Sequence, residues 1–186
     1  NAEPWLEECL DSIINQTFSN WELIAVDDYS SDQSFKILSS YNKEDSRIRC
    51  FNNSHSGIIH ALQKAFDNCS GSYISRMDAD DIMPKEKLEN LYKIASSDEK
   101  IIATGEVKYF SSNVISDGYL KYELWLNERS RKGDHWKHIY RECVIASGNW
   151  MVNREVLIKI VPFSDHVYPE DYDLIFRLKQ NGCSVR

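Results

Sequence analysis

The feature that most constrains this chain is an alternation of short apolar runs and amphipathic stretches over roughly its first 105 residues. The runs WELIAV, at 21–26, and SYISRM, at 72–77, have the length and composition of buried strands. Around them, apolar side chains recur at helical spacing, as they do along 4–18. Strands and helices that alternate in this way build a mostly parallel sheet covered by helices, so the sequence predicts an α/β fold.

The same patterns predict where the individual elements lie. Expected helices cover 4–18, the stretch after the Ser30 to Asp32 cluster, 57–69, the stretch from Pro84, and 171–180 with a stop at Gly182. Expected strands cover 21–26, 47–51, 72–77 and 144–152, and 101–110 is expected to be extended. The polar, basic stretch 129–138 is predicted to be a mobile loop or a surface helix.

Length, charge and cysteines narrow the class of protein. A chain of 186 residues suits a single domain. Its 22 basic and 29 acidic side chains give a net charge of −7, and nucleic-acid binders normally carry a basic surface, so we expect no nucleic-acid partner. The five cysteines are scattered without a C-x-x-C pair, which predicts core residues in a reducing, cytoplasmic setting. No membrane span or signal peptide is expected.

Acidic residues follow two of the predicted strands. Asp27 and Asp28 follow the first strand, and Asp78, Asp80 and Asp81 follow the third. Ligands of parallel α/β sheets bind at the carboxyl ends of the strands. Both acidic clusters therefore lie where a binding site is expected.

The Asp78–Asp81 cluster suggests a metal site. Asp78 and Asp80 are two residues apart, so in an extended segment their carboxylates point to the same side. Such a hard-oxygen site, with Asp81 beside it, suits Mg²⁺ or Mn²⁺. The alternative, which the tripeptide alone favours, is a solvated loop that caps the helix after Pro84. Arg76 either pairs with one of these carboxylates or contacts a diphosphate.

Two acidic pairs allow both a functional and a structural interpretation. The carboxylates of Asp27 and Asp28 can accept hydrogen bonds from a nucleobase imide or a ribose hydroxyl, or can cap the next helix. Glu170 and Asp171 stand at a predicted helix start, where the helix dipole favours the ionised carboxylate. Asp171 can serve there as a general base, whereas an isolated pair of this kind more often caps its helix.

Other residue types give weaker signals. Trp125, Trp136 and Trp150 can stack on sugars, although core packing is the simpler interpretation of each. The five histidines show no metal-ligand spacing, and we interpret most of them as surface residues. The sequence has no G-x-G-x-x-G, P-loop or G-x-S-x-G motif, which argues against a dinucleotide oxidoreductase, a P-loop phosphotransferase and an α/β-hydrolase.

Taken together, five stretches resemble glycosyltransferase family 2, the inverting enzymes of the GT-A fold, in that family's order. They are NAEPWLEECLDSIINQTF, WELIAVDDYSSDQS, SGIIHALQKAFDNCSGSYISRMDADD, SGNWMVNREVL and PEDYDLIFRLKQNG. The matches leave mainly 85–140 unexplained, where acceptor specificity usually lies in the family. The resemblance implies a Rossmann-like, three-layer sandwich with a mostly parallel central sheet.

Carried over by position, the resemblance also implies roles on the donor side. Asp28, with Asp27 beside it, would contact the base of the nucleotide. Asp78 would contact the ribose or the metal-bound phosphate region. Asp80 would ligate Mn²⁺ or Mg²⁺, with Asp81 nearby.

On the acceptor side, the resemblance implies a general base and a binding surface. Asp171 would be the base, supported by Glu170. Gly148, Asn149 and Trp150, in the SGNWMVNREVL stretch, are candidates for contact with the acceptor. The expected organisation is one domain, with about 1–105 binding the nucleotide sugar and about 106–186 serving the acceptor and catalysis.

The resemblance has departures, and it leaves alternatives open. The family's first strand, which ends P-x-Y-N, is represented only by Asn1, and Gln63 stands where an Asn is common. The expected partners are a UDP-linked donor and a saccharide or lipid-linked acceptor, with peripheral contact to the cytoplasmic membrane face through 129–138. The alternatives are another metal-dependent nucleotide-using enzyme, such as a nucleotidyltransferase, and a non-catalytic module that binds nucleotide sugars.

Overall fold

The computed structural model describes residues 1–164 and 169–186. Its helices are α1 Glu3–Ile14, α2 Ser34–Glu44, α3 Ile58–Asn68, α4 Lys87–Ala95, α5 Asp117–Lys132, α6 His135–His138, α7 Arg154–Ile160 and α8 Glu170–Gln180. Its strands are β1 Leu23–Asp27, β2 Ile48–Asn52, β3 Tyr73–Ser75, β4 Ile101–Thr104, β5 Trp150–Asn153 and β6 Ser184–Val185. Helices and strands alternate from α1 to β4, which confirms the predicted α/β class.

The chain divides into two compact units. The first unit contains Asn1–Ser72, Asp78–Asn90 and Val161–Glu170. The second unit contains Tyr73–Met77, Leu91–Ile160 and Asp171–Arg186. The predicted donor residues Asp27, Asp28, Asp78, Asp80 and Asp81 therefore all belong to the first unit, and the predicted base Asp171 belongs to the second.

The first unit is built on a parallel pair of strands. Strand β1 pairs with β2 in the register Leu23↔Ile48 to Asp27↔Asn52. Helix α1 buries one apolar face, because its apolar residues recur at intervals of three and four. Leu6 and Leu10 of that face form a core cluster with Leu38 of α2.

The second unit is built on a mixed sheet in the order β3-β5-β4-β6. Strand β5 runs antiparallel to both β3 and β4, and β4 pairs in parallel with β6. All four residues of β4, the apolar Ile101, Ile102 and Ala103 and the polar Thr104, are buried. The pairs β1–β2 and β4–β6 are thus parallel, and both antiparallel pairs involve β5, which lies between β3 and β4.

Three features differ from the sequence-based expectation. The strand predicted at 144–152 begins only at Trp150, because a turn in which the Asn149 N–H donates to the Ala146 carbonyl (3.0 Å) precedes it. The stretch 129–138 is the end of α5 plus α6, and Arg129, at 5% exposure, is buried rather than on the surface. His135, at 2% exposure, is also buried, so the surface prediction is wrong for this histidine.

Other boundaries agree with the expectation. Helix α8 occupies Glu170–Gln180, and the chain leaves it at Gly182, which has a positive φ of 78°. Glycine adopts this left-handed conformation at no steric cost, so Gly182 stops the helix as predicted. His166 lies outside the described residues. Among the helices that the structure describes, none is both long enough and apolar enough to cross a membrane.

Candidate active site

The carboxylates at the end of β1 accept hydrogen bonds from their own loop and from the loop after β2. Asp27 is buried, and its Oδ2 accepts a hydrogen bond from the Ser30 N–H (3.1 Å). Asp28 is exposed, yet its carboxylate accepts from the Asn53 amide (2.9 Å) and from the Gly57 N–H (3.0 Å). Gly57 is the N-cap residue of α3, so Asp28 fixes the start of that helix. The helix-cap interpretation therefore holds for Asp28, although the helix is α3 rather than the next one, whereas Asp27 orders the loop itself. The nucleobase contact of Asp28 stays a prediction.

Tyr29 of this loop and Asn53 of the loop after β2 are residues that the sequence alone did not single out. Tyr29 has a positive φ of 59°, a left-handed conformation that costs a non-glycine residue energy. Its side chain is 62% exposed, and its hydroxyl donates to the Ser54 carbonyl (3.1 Å). Asn53 is buried at 7% exposure, and Asn1 accepts from the Ser31 N–H (2.7 Å). Asn53 could have been found because it is a polar residue that directly follows β2, the strand that pairs with β1.

The Asp78–Asp81 segment forms a turn. The Asp81 N–H donates to the Asp78 carbonyl (3.1 Å), so the segment is not extended and the expectation of two carboxylates on one side loses its basis. The Cys9 thiol also donates to the Asp78 carbonyl (3.6 Å). Asp78 and Asp81 are half-buried, whereas Asp80 is exposed. Within 1–164 and 169–186, Asp80 makes no hydrogen bond and no ion pair.

The charges of this turn act on two neighbouring side chains. Burial, and after it the charges of Asp81, Asp80 and Asp78, raise the pKa of the Cys9 thiol to about 12. This thiol is therefore protonated and unreactive at neutral pH. Burial lowers the pKa of Lys87, at the first position of α4, and the carboxylates of Asp81 and Asp78 oppose that shift. The sequence analysis assigned no role to Lys87. It could have been noticed as a cation in the first turn of the helix that follows an acidic cluster.

The donor chemistry of the turn fits a hard divalent cation. Carboxylate oxygens are the ligands that Mg²⁺ and Mn²⁺ prefer, and Asp80 presents such a group to solvent. Among the described residues, no three His, Cys, Asp or Glu side chains are grouped so that they hold a metal ion by themselves. Mg²⁺ is usually bound by one or two carboxylates together with waters and substrate phosphates, so it needs no larger group.

Helix α1 fixes the chain that follows the turn. The buried amide of Gln16 donates to the Pro84 carbonyl (2.7 Å) and to the Met83 carbonyl (3.4 Å). Its oxygen accepts from the Leu88 N–H (3.0 Å), at the start of α4. The Ser12 hydroxyl accepts from the Met83 N–H (3.0 Å). Gln16 is a buried polar residue just beyond an apolar helix face, and that is the signal by which it is recognisable.

In the second unit, Asp171 is the second residue of α8. Its Oδ1 accepts a hydrogen bond from the Tyr172 N–H (2.7 Å) in the first turn of that helix. The charge of Asp171 adds to burial, the larger cause, in raising the pKa of Cys143 to about 12. Burial and, to a smaller extent, Asp171 also raise the pKa of the Tyr122 hydroxyl. Asp171 thus lies in a neighbourhood of protonated hydroxyl and thiol groups.

The remaining predicted site residues are partly or fully enclosed. Arg76 is half-buried just beyond β3, and Glu170 is buried at 6% exposure in the first unit. Gly148, Asn149 and Trp150 are all buried, and Trp150 packs in the core at 2% exposure, as the simpler interpretation predicted. The acceptor role of these three residues stays a prediction.

The other two tryptophans also belong to packed surroundings. The ring of Trp125 stacks on that of Tyr122, with centroids 5.8 Å apart, and the Trp136 indole N–H donates to the Cys183 carbonyl (3.0 Å). Neither ring needs a sugar to explain its position. The core-packing interpretation is therefore sufficient for both.

A buried polar cluster lies at the end of α5. The Arg129 guanidinium contacts Asp134 (3.1 Å) and Glu128 (2.6 Å). Within the described part of the chain, neither ring nitrogen of His135 has a hydrogen-bond partner. Burial lowers the pKa of His135, and the nearby Arg129 adds to this effect while Asp134 opposes it.

Comparison with known proteins adds sequence and fold relationships. A family model described as "Glycosyl transferase family 2" matches residues 1–161. An uncharacterized glycosyltransferase of Haemophilus influenzae is 30% identical over 98% of this chain and 58% of its own length. The Escherichia coli UDP-Glc:alpha-D-GlcNAc-diphosphoundecaprenol beta-1,3-glucosyltransferase WfgD is 31% identical over all of this chain and 69% of its own length.

A solved structure shows the fold. The mannosyltransferase PcManGT of Pyrobaculum calidifontis, solved in complex with GDP-Man and Mn²⁺, superposes with a TM-score of 0.74 at 19% identity. The match covers 98% of this chain and 50% of the mannosyltransferase. It confirms the GT-A fold that the sequence predicted. This chain thus spans about half the length of several proteins that it matches.

Proposed function

The chain belongs to glycosyl transferase family 2, and from this premise we propose that it transfers a sugar from a nucleoside-diphosphate sugar to an acceptor hydroxyl with inversion. The observation that carries the proposal is the Asp78–Asp81 turn, in which Asp80 presents a carboxylate to solvent that no described residue binds. The donor is proposed to be UDP-linked, because WfgD is named for UDP-Glc. The product is proposed to be a cell-surface polysaccharide or glycan.

The residues of the first unit are proposed to hold the donor. Asp80, with Asp78 and Asp81 beside it, would ligate Mn²⁺ or Mg²⁺, in line with the Mn²⁺ in the mannosyltransferase complex. When bound, such an ion supplies positive charge to the diphosphate leaving group. The Asp28 carboxylate retains unused acceptor capacity, because an ionised carboxylate offers about four lone-pair sites. We assign it the nucleotide base.

The residues of the second unit are proposed to serve the reaction. The acceptor oxygen forms a bond to the anomeric carbon while the bond from that carbon to the diphosphate oxygen breaks. The hydroxyl proton moves to the Asp171 carboxylate, and the nucleoside diphosphate departs with the bonding electrons. Glu170, the preceding residue and a member of the first unit, is proposed to support the base, and Arg76 of the second unit to contact the diphosphate.

The acceptor is proposed to be a saccharide or a lipid-linked saccharide. The support is the name of WfgD, which specifies a diphosphoundecaprenol-linked acceptor. A lipid-linked acceptor would bring the protein to the cytoplasmic face of a membrane. The part of the 129–138 stretch proposed for that contact is its exposed portion, which includes Arg131, Lys132 and Lys137.

The base assignment is tested by Asp171→Asn. Loss of the proton acceptor should lower turnover of the UDP-sugar by about 10²–10⁴-fold, the contribution typical of a positioned base, while donor affinity changes little. Turnover is measured as release of UDP with a panel of UDP-sugars and saccharide acceptors. Asp173→Asn is the matched control, since Asp173 lies on the same helix and pairs with Arg177. Unchanged turnover in Asp171→Asn would refute the assignment.

The metal and donor assignments are tested by calorimetry. UDP, GDP and dTDP are titrated with and without Mn²⁺ into the protein, into Asp80→Ala and into Asp67→Ala, an exposed carboxylate of α3 that serves as control. We expect Mn²⁺-dependent binding of UDP that only Asp80→Ala abolishes. Binding without turnover of any donor would favour the binding-module alternative. No binding of any nucleoside diphosphate would refute the proposed function.

A further inference from the structure

The position of Lys87 is fixed by the contacts of Gln16. The buried Gln16 amide binds the chain on both sides of Lys87, at the Pro84 carbonyl (2.7 Å) and at the Leu88 N–H (3.0 Å). The Lys87 N–H itself donates to the Pro84 carbonyl (2.9 Å). A backbone held at three points leaves the side chain little freedom in where it starts. Lys87 is half-buried, whereas Lys85, two residues earlier, is exposed.

The fixed lysine lies in the field of the acidic turn. Asp81 and Asp78 both act on the Lys87 ammonium, and Lys87 in turn acts on the Cys9 thiol. That thiol is anchored to the Asp78 carbonyl (3.6 Å), so these groups share one neighbourhood of the first unit. The segment Asp78–Asn90 has two cationic side chains, of which Lys85 is exposed and Lys87 is half-buried.

We propose that Lys87 is the resident counter-cation of the Asp78–Asp81 turn and that its charge lowers the affinity of the turn for a free divalent cation. A fixed positive charge repels an incoming Mn²⁺ ion while it stabilises the clustered carboxylates in the absence of metal. The two negative charges of a diphosphate relieve this repulsion, so metal and donor would bind together rather than in sequence. This role rests on the metal site assigned under the proposed function.

The test is the binding of Mn²⁺ alone, followed by electron paramagnetic resonance of the free ion. Lys87→Met should raise the Mn²⁺ affinity about tenfold, as Coulomb's law gives for one unit charge about 6 Å from a divalent ion in water. Lys87→Arg should stay within about twofold of the wild type, because it keeps the charge. Lys85→Met is the matched control, and its effect should also be within about twofold, since exposed charges are screened.

A second measurement separates the charge effect from folding. Thermal unfolding in the presence of a chelator is recorded for Lys87→Met, Asp81→Asn and the double variant, and Lys87→Gln repeats the series with a polar side chain. We expect the loss of stability in Lys87→Met to shrink when Asp81 is also neutralised. A purely packing role would give additive effects in the cycle and equal Mn²⁺ affinities.

The outcomes also distinguish this inference from the proposed function. An Mn²⁺ affinity of Lys87→Met that is equal to or below that of the wild type, or no Mn²⁺ uptake by Lys87→Met, overturns the role of Lys87. Failure of the proposed function appears instead as absent nucleoside-diphosphate binding in the wild type. The Mn²⁺ titration and the unfolding cycle contain no nucleotide and stay interpretable in that case.

Discussion

The turn after β1 and the turn formed by Asp78–Asp81 look alike in sequence and differ in what their carboxylates do. Asp27 and Asp28 accept hydrogen bonds from the Ser30 and Gly57 N–H groups and from the Asn53 amide. Asp80 accepts none from any residue that the structure describes and faces solvent. The carboxylates of the first turn order the loops after β1 and β2, whereas the second turn leaves one carboxylate available to a ligand.

The difference shows that an acidic cluster after a strand is not by itself evidence of a ligand site. What separates the two turns is the supply of nearby N–H donors. The loop after β2 returns beside β1 and brings the Gly57 N–H and the Asn53 amide to Asp28. The Asp78–Asp81 turn instead closes on its own backbone, with the Asp81 N–H on the Asp78 carbonyl.

The largest expected effect tests this difference directly. Asp28→Ala should lower the free energy of unfolding by about 2 kcal/mol, because it leaves the Gly57 N–H and the Asn53 amide without their charged acceptor. Asp80→Ala should change it by less than about 0.5 kcal/mol, as is usual for a surface substitution without partners. Urea denaturation of both variants measures the contrast.

Two outcomes bear on the comparison. Asp28→Asn keeps the shape and one acceptor oxygen and should recover about half of the loss, whereas a loss caused by packing alone would be recovered almost completely. Equal stability losses in Asp28→Ala and Asp80→Ala would break the comparison, since both turns would then depend on their carboxylates to the same extent.

The sequence predicted the fold well because the alternation of short apolar runs with stretches of helical periodicity is a local property of the chain. The pattern placed β1, α3 and α8 within a few residues of their observed bounds. It failed at Val144 to Asn149, where a turn replaces the expected strand, because apolar residues packed in an irregular segment have no periodicity that marks them.

The candidate site was less predictable, because its geometry depends on partners distant in the chain. The bond from Gln16 to Pro84 spans 68 positions, and that from Asn53 to Asp28 spans 25. Neither pair has a sequence spacing that reveals it. The residue types at the site were recognisable from local motifs, whereas their state of hydrogen bonding was not.

A second prediction concerns the buried ring of His135, whose nitrogens have no hydrogen-bond partner among the residues that the structure describes. The folded protein keeps His135 neutral, with a pKa below its ordinary value of 6.5, because burial penalises the charged ring. As the pH falls below about 6.5, the unfolded chain binds a proton that the folded chain does not. The free energy of unfolding should therefore have its full value above this pH. Below it, the free energy of unfolding should fall by at most about 1.4 kcal/mol per pH unit until the pKa of the folded state is reached.

This pH dependence is measured by thermal unfolding between pH 7.5 and pH 5, values chosen to bracket about 6.5. His135→Phe removes the titrating ring and should flatten the profile over this window. His55→Phe is the control, because His55 is exposed. If the pH profile of His135→Phe parallels that of the wild type, other groups cause the loss of stability in acid, and burial of the His135 ring contributes little to it.

The smallest expected effect concerns the geometry that lets Asp28 reach its partners. Tyr29, the next residue, holds a φ of 59°, which costs alanine energy and glycine none. Tyr29→Gly should therefore be about 1 kcal/mol more stable than Tyr29→Ala, although glycine is normally the less stable of the two outside such turns. The same pair of substitutions at Tyr140, which is exposed and has no positive φ, should show alanine equal or superior. If alanine is also superior at Tyr29, the left-handed residue is not what directs Asp28 into its loop, and the hydrogen bonds from Gly57 and Asn53 alone fix the turn.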